Sequence, residues 1–219
     1  MNGRIAASPR FLVLGLPAMA AAALISQASI LSSGDPKTQT EAAPRAAAVP
    51  QYTADGELKR PTDYRTWVFV GANMGLEYRD DDAKDPPPRK DQAHVKVGNF
   101  HNVYINPESY RHYMKTGEFP QKTMLVLDIY KGEKGDPKSV VAEGLFPGNE
   151  SGFAMAVKNS ARPDGSTTDW AYYDFGVDKQ SAKALPDRAC YDCHLQHANE
   201  DNVWVQFYPT LRKSRQAKK

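Results

Sequence analysis

Cys190-Tyr191-Asp192-Cys193-His194 holds the only two cysteines of the 219 residues, three positions apart, with a histidine directly after the second. Thiols at this spacing can add across the two vinyl groups along one porphyrin edge, and the adjoining imidazole can bind the iron from the proximal side. The pattern predicts one covalently attached haem c, held by Cys190 and Cys193, with His194 as its metal ligand. Three other chemistries use the same residue types. A Cys190–Cys193 disulfide would close a very small loop and stabilise little. A zinc cage drawn from Cys190, Cys193, His194 and His197 would need adjacent residues as tetrahedral ligands. A thioredoxin-like pair wants its cysteines opening a helix after a strand, whereas Lys179–Ala189 is polar and Ala-rich.

Haem c is attached outside the cytoplasm, and the N-terminus agrees with export. Arg4 and Arg10 form a basic start, Phe11–Ile25 is an unbroken run of apolar or small residues, and Ser26-Gln27-Ala28 is a small-residue cleavage signal. Residues 1–28 therefore read as a secretory signal peptide and the expected location is periplasmic. The apolar run is 15 residues long and contains Pro17, short of the ~20 residues that span a bilayer; left uncleaved, it would serve as a membrane anchor. The formal net charge is +2, and without Arg4 and Arg10 the rest is near neutral. No basic face points to nucleic acid. Residues 213–219 are a short basic tail, read as a solvated terminus.

These residues need a scaffold. Residues 29–50, rich in Ala, Ser, Thr and Pro and free of aromatics, read as a flexible linker. Residues 51–212 carry all three tryptophans and are one domain's worth of chain, enough to bury a real core. Five stretches read as strands: Thr66–Val70, Gly98–Ile105, Thr123–Tyr130, Ser151–Val157 and Asp169–Phe175, separated by turns rich in Gly, Pro and Asp. Thr123–Tyr130 is apolar almost throughout and is expected to be buried on both faces. Arg79–Asp91, with three prolines among many charges, is a loop. One helix is well punctuated, from Asn106 as N-cap and Pro107 at the first position to Gly117 as the stop. A further helix is expected after the cysteine motif, through Val203, Trp204 and Phe207. The domain reads as β-rich with a few helices. Small helical electron carriers place this motif near the N-terminus, and four-helix bundles need long amphipathic helices before it; neither layout fits.

At this point the chain resembles the cytochrome P-460 and cytochrome c′-beta group. The stretches that carry the likeness are Tyr64-Arg65-Thr66-Trp67-Val68-Phe69-Val70-Gly71, Phe100–Tyr110, Thr116-Gly117-Glu118-Phe119-Pro120, Trp170-Ala171-Tyr172-Tyr173, the cysteine motif, and Phe207-Tyr208-Pro209-Thr210-Leu211. The resemblance implies an α+β fold class, an antiparallel β-sheet with flanking helices in a single haem-binding domain, with one c-haem, five-coordinate iron with an open distal face, and often a homodimer. In P-460 proteins, which oxidise hydroxylamine, a strand lysine is joined to the macrocycle; Leu127 takes that position here. Lys122 falls in the preceding turn, Lys131 is expected past the strand, and no lysine lies between Thr123 and Tyr130. The chain is thus more similar to the c′-beta members, whose apolar pockets bind nitric oxide and carbon monoxide.

Leu127, with Leu125 or Ile129 two residues to either side on the same strand face, is the expected distal wall. Such a wall admits a small neutral ligand and offers no proton donor. Ordinary core is the competing role for Leu125 and Ile129. His101 stands where the P-460 relatives place a cationic distal residue. Facing the iron, it would hydrogen-bond a ligand, act as general acid or base, or bind as a sixth ligand; otherwise it makes a structural hydrogen bond. His94, His112 and His197 are expected at the surface or near the haem edge. Met74, Met124 and Met155 are alternative sixth ligands or, more commonly, core filling. The leading expectation is a ligand-binding cytochrome for nitric oxide or a similar small diatomic or nitrogenous molecule. The alternatives are an enzyme oxidising hydroxylamine or acting on peroxide, and a six-coordinate electron carrier. A periplasmic redox partner and a homodimer are the expected associations.

Overall fold

The computed structural model describes residues 46–76, 98–141 and 143–216. The expected signal peptide, most of the linker, the loop at Arg79–Asp91, His94 and the last residues of the tail lie outside the described residues. In chain order come β1 (Leu58–Lys59), a 3₁₀ turn at Tyr64–Thr66, β2 (Val68–Met74), β3 (Asn99–Ile105), α1 (Pro107–Thr116), β4 (Met124–Lys134), β5 (Leu145–Lys158), β6 (Trp170–Gly176), β7 (Ser181–Ala182), a 3₁₀ turn at Asp187–Ala189, α2 (Tyr191–His197), a 3₁₀ turn at Val205–Phe207 and α3 (Pro209–Gln216). β2 to β6 form one antiparallel sheet in sequence order, and β1 pairs with β7. The fold is α+β, as expected. No helix among the described residues is long and apolar enough to cross a membrane.

Side-chain alternation gives the sheet two different faces. One face carries Met124, Val126 and Asp128 of β4 beside Phe153, Met155 and Val157 of β5 and Ala171, Tyr173 and Phe175 of β6, closed by Leu58, Tyr64, Trp67 and Ala182. It is sealed: Val126, Phe153, Val157 and Phe175 have no exposed surface. The other face carries Val103 and Ile105 of β3, Leu125 and Leu127 of β4, Ala156 of β5 and Trp170 and Tyr172 of β6. Tyr113, Phe119, Val203, Val205, Leu211, Cys190 and Tyr191 pack against it from the helices and the C-terminal segment.

Three of the five strands are longer than the sequence pattern predicts. The first starts at Val68, because Tyr64–Thr66 forms a 3₁₀ turn that drops Tyr64 and Trp67 into the sealed core, and it runs on to Met74. β4 reaches Lys134 and β5 begins at Leu145, since backbone pairing such as Glu133↔Phe146 extends the hairpin beyond the buried pattern. Lys131, expected past the strand, is therefore inside β4, exposed and paired with Asn99. β4 is not buried on both faces either: Leu127 and Ile129 are only half-buried.

α1 begins and ends where its signals place it, with Gly117 left-handed at φ 78° and its N–H on the Tyr113 carbonyl. Asn106 makes no side-chain cap. Its Oδ1 instead accepts the Met124 N–H at 2.8 Å, and its amide donates to the Ala48 carbonyl at 3.1 Å, so it ties the helix entry to β4. The helix expected through Val203, Trp204 and Phe207 is replaced by α2 over the cysteine motif itself, a turn, a 3₁₀ turn and then α3.

Candidate functional site

α2 has seven residues and buries none of them fully. Cys190 stands at its N-terminus and His194 one turn on, so both project from one side. Cys190 packs against the half-open face of the sheet, in the same apolar cluster as Leu127, Ala156 and Tyr191. Both thiols are free and half-buried. Burial pushes both thiols up, with the neighbouring Cys193 and Asp174 adding to the effect at Cys190, so both are protonated at neutral pH. Cys190, Cys193, His194 and His197 do not assemble as a metal cage; among the described residues no three His, Cys, Asp or Glu side chains do.

The two ring nitrogens of His194 are told apart by their partners. Nδ1 lies 2.8 Å from the Asn202 carbonyl, which can only accept, so Nδ1 carries the proton. Nε2 lies 3.0 Å from Trp204 Nε1–H, which can only donate, so Nε2 carries the lone pair. Burial lowers the affinity of this ring for a second proton, and the Asn202 carbonyl opposes that shift. Tyr172 from β6 lies against the ring at 4.5 Å between centroids, and Trp204 meets it edge-on at 5.2 Å. The indole is stacked in turn between His197 and Phe207.

Cross-strand pairing lays out the half-open face in rows. Val103, Leu127, Ala154 and the exposed Asp174 form one row, Ile105, Leu125, Ala156 and Tyr172 the next, and His101, Ile129 and Gly152 the row on the other side. Leu127, Ile129, Ala154 and Ala156 are all half-buried. Small residues on β5 leave this apolar surface shallow, and a side chain at Gly152 would press on Ile129, its Cβ 3.2 Å from Cδ1. Leu127 thus packs against the same apolar cluster as Cys190. Lys131 shares its strand, but four residues on, ~13 Å along the chain.

His101 lies on that same face, one row from Leu127, and its Nδ1 is 2.9 Å from Asn73 Oδ1 on β2. Its structural hydrogen bond and its place beside the apolar surface are both real. Burial lowers its affinity for a proton. His112 is exposed. Met124 and Met155 lie in the core on the opposite face from Cys190, and Met74 is an exposed residue at the end of edge strand β2.

Two participants have no motif to announce them: the Asn202 carbonyl and the Tyr172 ring. Trp170-Ala171-Tyr172-Tyr173 marks the strand that supplies Tyr172, but its alternation does not say which ring meets a histidine far along the chain.

The family model described as Cytochrome P460 matches residues 61–205 of the chain. No curated protein matches it.

Proposed function

This chain belongs to the cytochrome P460 family and is a haem protein of the P460 or c′-beta type, and from that premise we propose that it holds one haem c through Cys190 and Cys193, with His194 on the iron, and takes up nitric oxide or a similar small ligand. The donor set fits the cofactor. Two free thiols stand three residues apart, unpaired as addition to vinyl groups requires. The observation that carries the reading is the commitment of His194 Nδ1 to the Asn202 carbonyl, which leaves Nε2 as a lone-pair nitrogen beside those thiols. Iron at Nε2 would take that lone pair from the Trp204 indole. When bound, haem supplies an open coordination position for a small molecule.

Around that position the chain's own part is to exclude and to select. Leu127, Val103, Ile129, Ala154 and Ala156 offer an apolar surface suited to a neutral diatomic, with His101 and Asp174 at its margins. Leucine at the position that carries the cross-linking lysine in P-460 proteins supports the c′-beta reading over hydroxylamine oxidation. Export to the periplasm and exchange of electrons with a partner there belong to the same proposal, since covalent haem attachment takes place outside the cytoplasm.

The test is the absorption spectrum of protein matured by haem-ligation machinery. The pigment should stay with the polypeptide in acidified organic solvent, and the reduced spectrum should change on adding nitric oxide or carbon monoxide. A colourless preparation, or a reduced spectrum indifferent to both gases, rejects the reading. The second reading, an enzyme with His101 moving protons, is favoured by the row that His101 shares with Ile129. It predicts hydroxylamine or peroxide turnover that falls in His101→Ala; turnover equal to wild type removes His101 from the chemistry.

A further inference from the structure

Asp201 and Asn202 are consecutive non-glycine residues with left-handed backbone, φ 46° and 60°. The Val203 N–H donates to the Glu200 carbonyl across them at 2.7 Å, the pattern of a two-residue type I′ turn. Glycine is the usual residue there, and two side chains in its place are kept only where the surroundings over-determine the conformation. They do so here. The Glu200 carboxylate accepts the Tyr113 hydroxyl at 2.6 Å. Asp201 Oδ1 accepts Trp170 Nε1–H at 3.0 Å and Oδ2 accepts Lys158 Nζ at 2.7 Å, while Lys158 also donates to the Phe119 carbonyl at 3.0 Å. What the turn presents is the Asn202 carbonyl, 2.8 Å from His194 Nδ1 and 3.4 Å from the Tyr172 hydroxyl.

We infer that Asp201 is a positioning residue: anchored to β5 through Lys158 and to β6 through Trp170, it holds the turn so that the Asn202 carbonyl takes the Nδ1 proton of His194, and so sets how strongly Nε2 donates to iron. The inference rests on the reading of His194 as the iron ligand. A firm Nδ1–H···O=C bond raises the basicity of the coordinating ring, and a loose one lowers it. Asp201 touches neither the imidazole nor the apolar surface; its effect runs through the backbone it fixes.

The experiment compares haem-loaded wild type with Asp201→Gly, Asp201→Asn and Lys158→Met, by resonance Raman spectroscopy of the reduced protein and by equilibrium reduction potential. Haem content and thermal midpoint serve as fold controls. Glycine accepts the left-handed turn without steric cost but deletes both anchors. Asparagine tolerates the turn and keeps an acceptor for Trp170. Asp201→Gly is expected to move the iron–histidine stretching band to lower frequency and the potential to more positive values at unchanged haem content. Asp201→Asn should recover most of the shift, and Lys158→Met should show a smaller shift of the same sign. A band and potential equal to wild type in Asp201→Gly overturn the inference, as do equal shifts in the glycine and asparagine variants. If Asp201→Gly does not fold, Lys158→Met decides, and an unmoved band there overturns it. A wild-type iron–histidine band that persists unchanged in His194→Gly overturns the His194 reading and this inference together, so the two failures are told apart.

Discussion

Tyr64→Phe tests the sealed face of the sheet against its own electrostatics. Asp128 follows Leu127 on β4 but points the other way, and is 1% exposed. Its Oδ2 accepts the Tyr64 hydroxyl at 2.8 Å and the Tyr130 hydroxyl at 3.2 Å, with the Arg65 guanidinium 3.6 Å away on a side chain that is 56% exposed. Its Oδ1 is buried with no hydrogen-bond partner among the described residues. Burial pushes the Asp128 carboxyl above its ordinary 3.8, and the contacts with Tyr64, Arg65 and Tyr130 only partly offset this. Phenylalanine at 64 keeps the ring contacts with Tyr104 and Phe153, so no cavity opens. The variant loses one hydrogen bond to a buried charged group, about 1.5–3 kcal/mol, and exposed Arg65 compensates little. The expected loss near neutral pH is about 2 kcal/mol. The sign of the pH dependence follows from the raised carboxyl. The folded chain holds this proton to higher pH than the unfolded chain, so wild-type stability falls as pH rises from the unfolded value through the folded one. Below that window Asp128 is protonated, and the Tyr64 bond is a neutral one worth about 1 kcal/mol. Urea unfolding of both proteins at about pH 7 and about pH 4 should therefore show the gap narrowing with acid. A gap that is the same at both values, or a neutral-pH loss under about 0.5 kcal/mol, refutes the reasoning.

Two further outcomes follow from single residues. Burial keeps the folded-state proton affinity of His101 low, so the unfolded chain binds the extra proton first and stability drops as pH falls from about 6.5 through the lower folded value. His101→Gln retains a donor for Asn73 without titrating; its unfolding midpoint should decline less than wild type between about pH 7 and pH 5, and parallel declines would remove His101 as the cause. Gly117→Ala forces a Cβ onto φ 78° at the end of α1 and should cost about 1 kcal/mol with an unchanged urea slope; an unaltered midpoint would show that the left-handed stop is not required.

Where local chemistry decides structure, the sequence was legible. Pro107 and Gly117 mark α1 because a ring-locked φ and a Cβ-free turn act within a few bonds of the backbone they shape. Alternation put Leu125, Leu127 and Ile129 on one face. Boundaries set by distant partners were not legible. Thr66 and Trp67 leave the strand because the 3₁₀ turn before it carries Tyr64 to Asp128 across the core, and β2 runs on past Val70 because it pairs with β3 as far as Met74 and Phe100. Neither contact has any trace in the local pattern. Asn106 reads as a cap from its type and place, yet β4 offers its side chain a better donor in the Met124 N–H.

The same division runs through the site. Cysteine and histidine declare their chemistry by type and spacing, whereas a carbonyl belongs to every residue, so nothing about Asn202 as a residue type foretells its role. The consequence is physical. α2 is seven residues long and has no fully buried side chain, far below the ~12–15 residues at which an isolated helix is even marginal. It cannot orient His194 by itself. The ring is fixed from outside, by Tyr172 against its face and by a carbonyl delivered from a turn that the sheet and α1 hold through Lys158, Trp170 and Tyr113. On the proposed reading, a short and loosely buried helix would keep both thiols accessible for covalent attachment, and the irregular segment that follows it would supply the precision that a metal ligand needs. Substitutions around residues 200–203 should thus disturb the iron environment more than conservative changes at exposed helix positions such as Asp192 or Gln196.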